Sequence, residues 1–153
     1  MREKRSEKLE FESGIQERWR MTELGHKDLS SRVIEAAINV HKALGPGFLE
    51  SVYETALCVE LDVMGIDFER QKIIRLFYRG REIGEHRLDI VVERKLLVEL
   101  KAVRELEDIF FVIGRSQMKA AGIKDGLILN FHAMPLTIRR IAPEFISSGS
   151  LTS

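Results

Sequence analysis

The chain has 153 residues, 44% of them hydrophobic and 31% charged, with 24 lysines and arginines balancing 24 aspartates and glutamates. That length supports one core burying roughly two thirds of the surface an unfolded chain exposes, and the composition excludes a fibrous repeat or wholesale disorder. Zero net charge excludes a global basic field that would draw in nucleic acid from a distance, so any phosphate contact must be local.

The opening "MREKRSEKLEFESGIQERWR", residues 1–20, mixes both signs with few apolar residues and no clear periodicity. It is not a secretory signal and predicts a frayed or disordered extension, with Met21 a candidate for the physiological start. From Ser30, apolar residues Val33, Ala36, Ala37, Val40 and Leu44 recur at helical steps, with Asp28 or Ser30 available as N-cap. Gly45, Pro46 and Gly47 stop this helix; no lysine with serine or threonine follows, so they are turn and cap rather than a phosphate loop. A second helix carries Leu49, Val52, Ala56, Leu57, Leu61 and Met64 on one side, with Gly65 placed to cap it. The only cysteine, Cys58, falls among its apolar positions and is read as core, which excludes a disulfide framework and fits a reducing interior.

Three extended segments follow, Lys72–Tyr78, Glu82–Glu93 and Leu96–Ala102, rich in β-branched or aromatic residues and tightly connected, which predicts an antiparallel meander. A helical stretch from Leu106 to Ala121 leads to Leu127–Phe131, an apolar run typical of a strand covered on both faces. Leu136–Ile141 reads as an edge strand, and residues 146–153 as a flexible tail. The order of elements predicts an α/β sandwich with a mixed sheet, in a single domain over residues 21–145. No apolar run approaches the roughly 18 residues that span a bilayer, so no membrane partner and a cytoplasmic location are expected.

Two of the strand runs carry charge. Asp89 lies in the first, Glu99 and Lys101 in the second, and an unpaired buried carboxylate costs several kcal/mol unless it is neutralised, paired or bound to a metal. Strand alternation points Glu99 and Lys101 the same way, roughly 7 Å apart, while Val98, Leu100 and Ala102 point into core. A hairpin turning near Arg94 brings Asp89 opposite this charged face. Mg²⁺ prefers oxygen ligands and typically takes one or two protein carboxylates, which Asp89 and Glu99 can supply. A lysine beside them can act on an attacking water or neutralise charge on a phosphate. The alternative is an ion pair of Lys101 with Glu99 or Asp89 on a solvated sheet face.

The same residues lie in a longer pattern, "HKALGPGFLESVYETAL", then "HRLDIVVERKLLVELKAV", then "GLILNF". Over about Asp28 to Ile141 the chain resembles the GxxExxY family, after Gly47, Glu50 and Tyr53, within the PD-(D/E)XK nuclease-like superfamily. The resemblance implies a restriction-endonuclease-like αβββαβ core, a mixed central sheet flanked by helices. It puts the superfamily's metal-binding aspartate on Asp89 and its E-x-K pair on Glu99 and Lys101, nine residues intervening between Asp89 and Glu99. It implies magnesium- or manganese-dependent phosphodiester hydrolysis, with Asp89, Glu99 and the Leu100 carbonyl holding the ion. Lys101 then works on the water, and Glu50 supports a water or second ion. Glu50 also reads as a first-turn glutamate favoured by the helix dipole.

The sequence departs from relatives that carry Q-x-x-x-Y on the following helix: Ile113 falls at the glutamine position and Gln117 at the tyrosine position. Gln117 is therefore a weak substrate-site candidate. Arg87 is another, able to grip a phosphate or to pair with Glu85 or Glu99. Tyr53 is a third, placed to bond Glu50 or a substrate, or to be partly buried. His41 has no partner at metal spacing and reads as structural. The leading expectation is a metal-dependent nuclease acting on DNA, or else RNA. The rival is a catalytically silent relative that binds nucleic acid or protein, and a homo-oligomer or unknown protein partner is left open.

Overall fold

Two glycines with positive φ, Gly45 at 69° and Gly47 at 112°, bend the chain between its first two helices, α1 (Gly25–Leu44) and α2 (Glu50–Val63). Side chains with a Cβ rarely adopt such angles, so the "GPG" punctuation works through backbone freedom. The computed structural model describes residues 25–143; the expected extension over 1–20, the Met21 start and the 146–153 tail lie outside the described residues. Two compact units divide the chain, residues 1–33 and 34–153. The first is described only over residues 25–33, the opening turns of α1.

Helix α1 begins at Gly25, ahead of the caps at Asp28 or Ser30. Apolar periodicity reports only a packed face, and a helix's hydrogen-bond ladder can continue into residues that carry no such signal. The remaining elements are β1 (Phe68–Tyr78), β2 (Arg81–Val92), β3 (Leu96–Lys101), α3 (Asp108–Ala121), β4 (Asp125–Asn130) and β5 (Thr137–Arg140). The strands form one sheet in the order β1-β2-β3-β4-β5. β1, β2 and β3 make the expected antiparallel meander, β4 joins β3 in parallel after the α3 crossover, and β5 closes the edge antiparallel to β4.

Each face of the sheet has its own helix. On one side Met118 of α3 joins Leu88, Val91, Leu97, Ile128 and Ile141, all buried. A Cβ added at Gly126 would come within 2.7 Å of Met118 Sδ, and one at Gly114 within 2.7 Å of Ile141 Cδ1. Gly126 lets Met118 of α3 seat closely on β4, and Gly114 lets Ile141 approach α3. Alternation sends Val98 and Leu100 to the opposite face, where α2 packs against β1 and β3 through Tyr53, Leu57, Cys58 and Leu61. Burial pushes the Cys58 thiol up to about 11, so it stays protonated and inert, as a core cysteine should. His41 is also buried, its ring tilted over Phe131 at 6.1 Å. Among the described residues no helix is long and apolar enough to cross a membrane.

Candidate functional site

The β2–β3 hairpin positions the charged residues. Glu93 and Arg94 both take positive φ, 48° and 60°, and the Lys95 amide donates to the Val92 carbonyl at 2.9 Å. Three residues, Glu93 to Lys95, thus connect the paired Val92 and Leu96, a tight turn in the predicted place. The register it fixes pairs Val92 with Leu96, Val91 with Leu97 and Ile90 with Val98. One step further Asp89 falls opposite Glu99, and there the backbone ladder stops.

What replaces it is a reciprocal exchange. The Asp89 amide donates to Glu99 Oε1 at 3.2 Å, and the Leu100 amide donates to Asp89 Oδ2 at 2.9 Å. Each carboxyl stands in for a strand carbonyl, so two buried amides are satisfied while the strands part. The local pleat is also irregular. Leu88 and Val91, three residues apart, belong to one cluster on one face, which strict alternation forbids.

Glu99 is buried, and its carboxyl is pushed up to about 9 by that burial first and by the neighbouring Asp89 second; Lys101 opposes the shift more weakly. Two close carboxyls in low dielectric cannot both ionise without a compensating cation. Lys101 does not supply it by direct pairing. Its ammonium lies 4.5 Å over the Phe110 ring, a cation–π contact with α3. The ion-pair alternative is thus not formed: Lys101 joins no ion pair among the described residues. The aromatic face holds a free ammonium on the strand that carries Glu99.

This donor set fits a hard divalent cation. Two side-by-side oxygen donors, one pushed toward its protonated form by burial first and by its acidic neighbour second, match the one or two carboxylates that Mg²⁺ takes. Among the described residues no three His, Cys, Asp or Glu side chains gather as a metal cluster, so Glu50 does not join the pair. It is exposed at the first residue of α2.

The other candidates are placed as follows. Tyr53 is fully buried; its hydroxyl donates to the Gly45 carbonyl at 2.5 Å and accepts from the Phe48 amide at 3.2 Å. It therefore fastens the α1–α2 turn instead of bonding Glu50. Its ring stacks on Phe131 at 4.6 Å, and the Phe131 amide donates to the Lys101 carbonyl at 2.8 Å. Gln117 is buried with Oε1 unpartnered, whereas Ile113 is exposed. Arg87 is exposed, opposite Ile73 of β1, and forms no ion pair among the described residues with Glu85 or Glu99.

Sequence reasoning overlooked Asn130. It sits beside Lys101 in the parallel register. Its Oδ1 accepts from the Val103 amide at 3.1 Å and the His132 amide at 3.3 Å, while Nδ2 donates to the Val103 carbonyl at 2.8 Å. The side chain ties down the chain leaving β3, just past Lys101. The available signal was one amide in the apolar run "LILNF", a buried polar group that must have partners. Asn130→Ala removes all three bonds; at about 1 kcal/mol each it should lower unfolding free energy in urea by about 2–4 kcal/mol. Asn130→Asp, which keeps the acceptor, should lose less.

A three-strand meander, a crossover helix and a parallel fourth strand, with two acidic side chains where the meander parts, make up a restriction-endonuclease-like fold. A family model of the PD-(D/E)XK nuclease superfamily matches residues 27–141, and the chain belongs to that superfamily. No curated protein and no solved structure matches it. Membership implies a nuclease-like function with nucleic acid as substrate, and nucleases of this superfamily generally use Mg²⁺ or another divalent metal.

Proposed function

We propose that the protein is a divalent-metal-dependent nuclease of the GxxExxY kind that hydrolyses phosphodiester bonds, with DNA the favoured substrate. The observation that carries this reading is the reciprocal Asp89–Glu99 arrangement with its uncompensated charge. Asp89, Glu99 and the carbonyl of Leu100 would hold Mg²⁺ or Mn²⁺. When bound, the ion polarises the phosphoryl oxygens and lowers the pKa of bound water.

The chain's own residues do the rest. With an ion bound, Glu99 would release to solvent the proton that burial favours and hold the ion as a carboxylate. Lys101, held by Phe110, orients the attacking water or offsets charge growing on the phosphate. Gln117 offers a buried amide oxygen from α3 and is a secondary candidate for positioning. Glu50, which stands outside the pair, supports a water or second ion.

The test is incubation of purified protein with single- and double-stranded DNA and RNA in Mg²⁺ or Mn²⁺. Metal-dependent loss of full-length substrate, abolished by EDTA, is the expected result. Degradation that is equal in wild type, Asp89→Ala and Lys101→Ala would mark a contaminant. Absence of cleavage under every condition would turn the reading toward a silent binding module.

A further inference from the structure

The β1–β2 ribbon continues where β3 does not. β2 pairs with β3 only over Ile90–Val92, yet its pairing with β1 runs on from Lys72↔Leu88 to Tyr78↔Arg81. Lys72–Tyr78, at about 3.3 Å per residue, makes a two-stranded arm roughly 20 Å long. The base of the arm rests on α3: Ile74 packs against the core cluster, and His86 Nε2 lies 3.1 Å from Ser116 Oγ. Its outer half is bare, with Phe77, Tyr78 and Ile83 each more than 60% exposed.

The arm is also where positive charge collects in a chain of zero net charge. Between Lys72 and Leu88 lie Lys72, Arg75, Arg79, Arg81 and Arg87 against only Glu82 and Glu85. Lys72 pairs with Glu69, and Arg75 with Glu82. Arg79, Arg81 and Arg87 form no ion pair among the described residues. At the tip Arg79 (φ 49°) and Gly80 (φ 77°) make a tight turn, and the Arg79 guanidinium lies 5.8 Å over the Tyr78 ring. The bland explanation is a sheet edge kept soluble by charge. That explanation calls for lysines and glutamates. It does not call for large exposed aromatics beside unpaired arginines.

Building on the nuclease reading, we propose that this arm lies in the major groove of duplex DNA and steadies the duplex against the carboxyl pair at its base. A major groove about 12 Å wide and 8.5 Å deep admits a two-stranded β-ribbon, whereas the A-form groove of duplex RNA is too narrow to enter. Unpaired guanidiniums suit phosphates and guanine edges, and the exposed aromatic and aliphatic residues suit thymine methyls. Arg87 stands two residues before Asp89, so the arm and the site share one strand.

The experiment measures fluorescence anisotropy of labelled duplex DNA, single-stranded DNA and duplex RNA of one sequence, in EDTA, across a salt series. Wild type is compared with Arg79→Asn/Arg81→Gln; asparagine tolerates the left-handed tip conformation, and thermal melts check folding. Wild type should bind duplex DNA most tightly. The double variant should bind it at least about tenfold more weakly at low salt, with the log–log salt slope reduced by about 1.8. Unchanged affinity and slope would overturn the arm's role, as would equal binding of duplex DNA and duplex RNA, or no binding by wild type. So would loss of a concentration-dependent dimer with DNA binding intact, which would assign the arm to a second copy. Cleavage assays on the same preparations separate the two ideas. Cleavage with arm-independent binding sinks only the arm, and arm-dependent binding without cleavage in any metal sinks only the nuclease reading.

Discussion

Lys101→Met should abolish cleavage, by at least about 10²-fold in kcat, and leave the protein folded. Methionine keeps most of the apolar stem and its packing on α3 while removing the ammonium that lies over Phe110. The lost cation–π contact is worth only about 0.5–1 kcal/mol at a partly exposed site, so stability should barely change. The aspartate can be probed as a matched pair. Asp89→Asn retains an oxygen that can accept from the Leu100 amide, so it should fold normally yet lose cleavage to a similar extent. Asp89→Ala leaves that amide without its acceptor and should add a stability loss of about 1–3 kcal/mol. Rates on duplex DNA in Mg²⁺, read beside urea melts, separate the two effects. A Lys101→Met protein with more than a tenth of wild-type activity would remove lysine from the chemistry.

The hairpin and the charged pair were legible because two simple counts fix them. A tight turn near Arg94 sets the register, and counting back equally along both strands then brings Asp89 to Glu99. The antiparallel meander followed from its tight connections and the mixed sheet from the order of elements; the long α3 crossover is what allows β3 and β4 to lie parallel. Other features left no such mark. β1 begins at Phe68 rather than Lys72, because Gln71 takes a positive φ of 53° and Glu69 and Arg70 carry no apolar alternation. Gln71 instead turns its amide to Glu54 Oε1 at 2.6 Å, while Arg70 pairs with the same carboxylate at 3.5 Å.

The supports around the site were hidden for a different reason. Phe110 under Lys101 and Asn130 beside it come from the helix and strand that follow, and no strand or helix periodicity links them to the E-x-K strand. The arm was hidden because its two strands read as ordinary meander members. Only the shortness of β3 beside them makes an arm, and that is a property of the sheet. For Tyr53 the sequence left two readings open, and the fold realises burial. A residue three after Glu50 can meet it on a helix, but the "GPG" bend folded back and offered better partners in Gly45 and Phe48.

Glu99→Gln should remove a large pH dependence of stability. In the folded, metal-free protein burial and the neighbouring Asp89 push the Glu99 carboxyl up to about 9, against about 4.3 in an unfolded chain. Between those values the folded state binds a proton that the unfolded state has released, so unfolding free energy must fall as pH rises. The slope approaches about 1.4 kcal/mol per pH unit for one fully linked proton, or roughly 2–3 kcal/mol between pH 6 and pH 8. Glutamine mimics the neutral acid: its carbonyl can still accept from the Asp89 amide, and its NH₂ can donate to the Asp89 carboxylate. The variant should therefore come closest to wild type below about pH 4 and exceed it increasingly toward pH 9, with the difference between the two urea-denaturation curves isolating this residue from all other titrations. Adding Mg²⁺ at pH 8 should raise wild-type stability, because the cation replaces the proton, and should do less for the variant, which has lost one anionic ligand. Parallel pH profiles for the two proteins would mean that the Glu99 carboxyl is already ionised and compensated in the fold, and the case for a cation between Asp89 and Glu99 would lose its electrostatic basis.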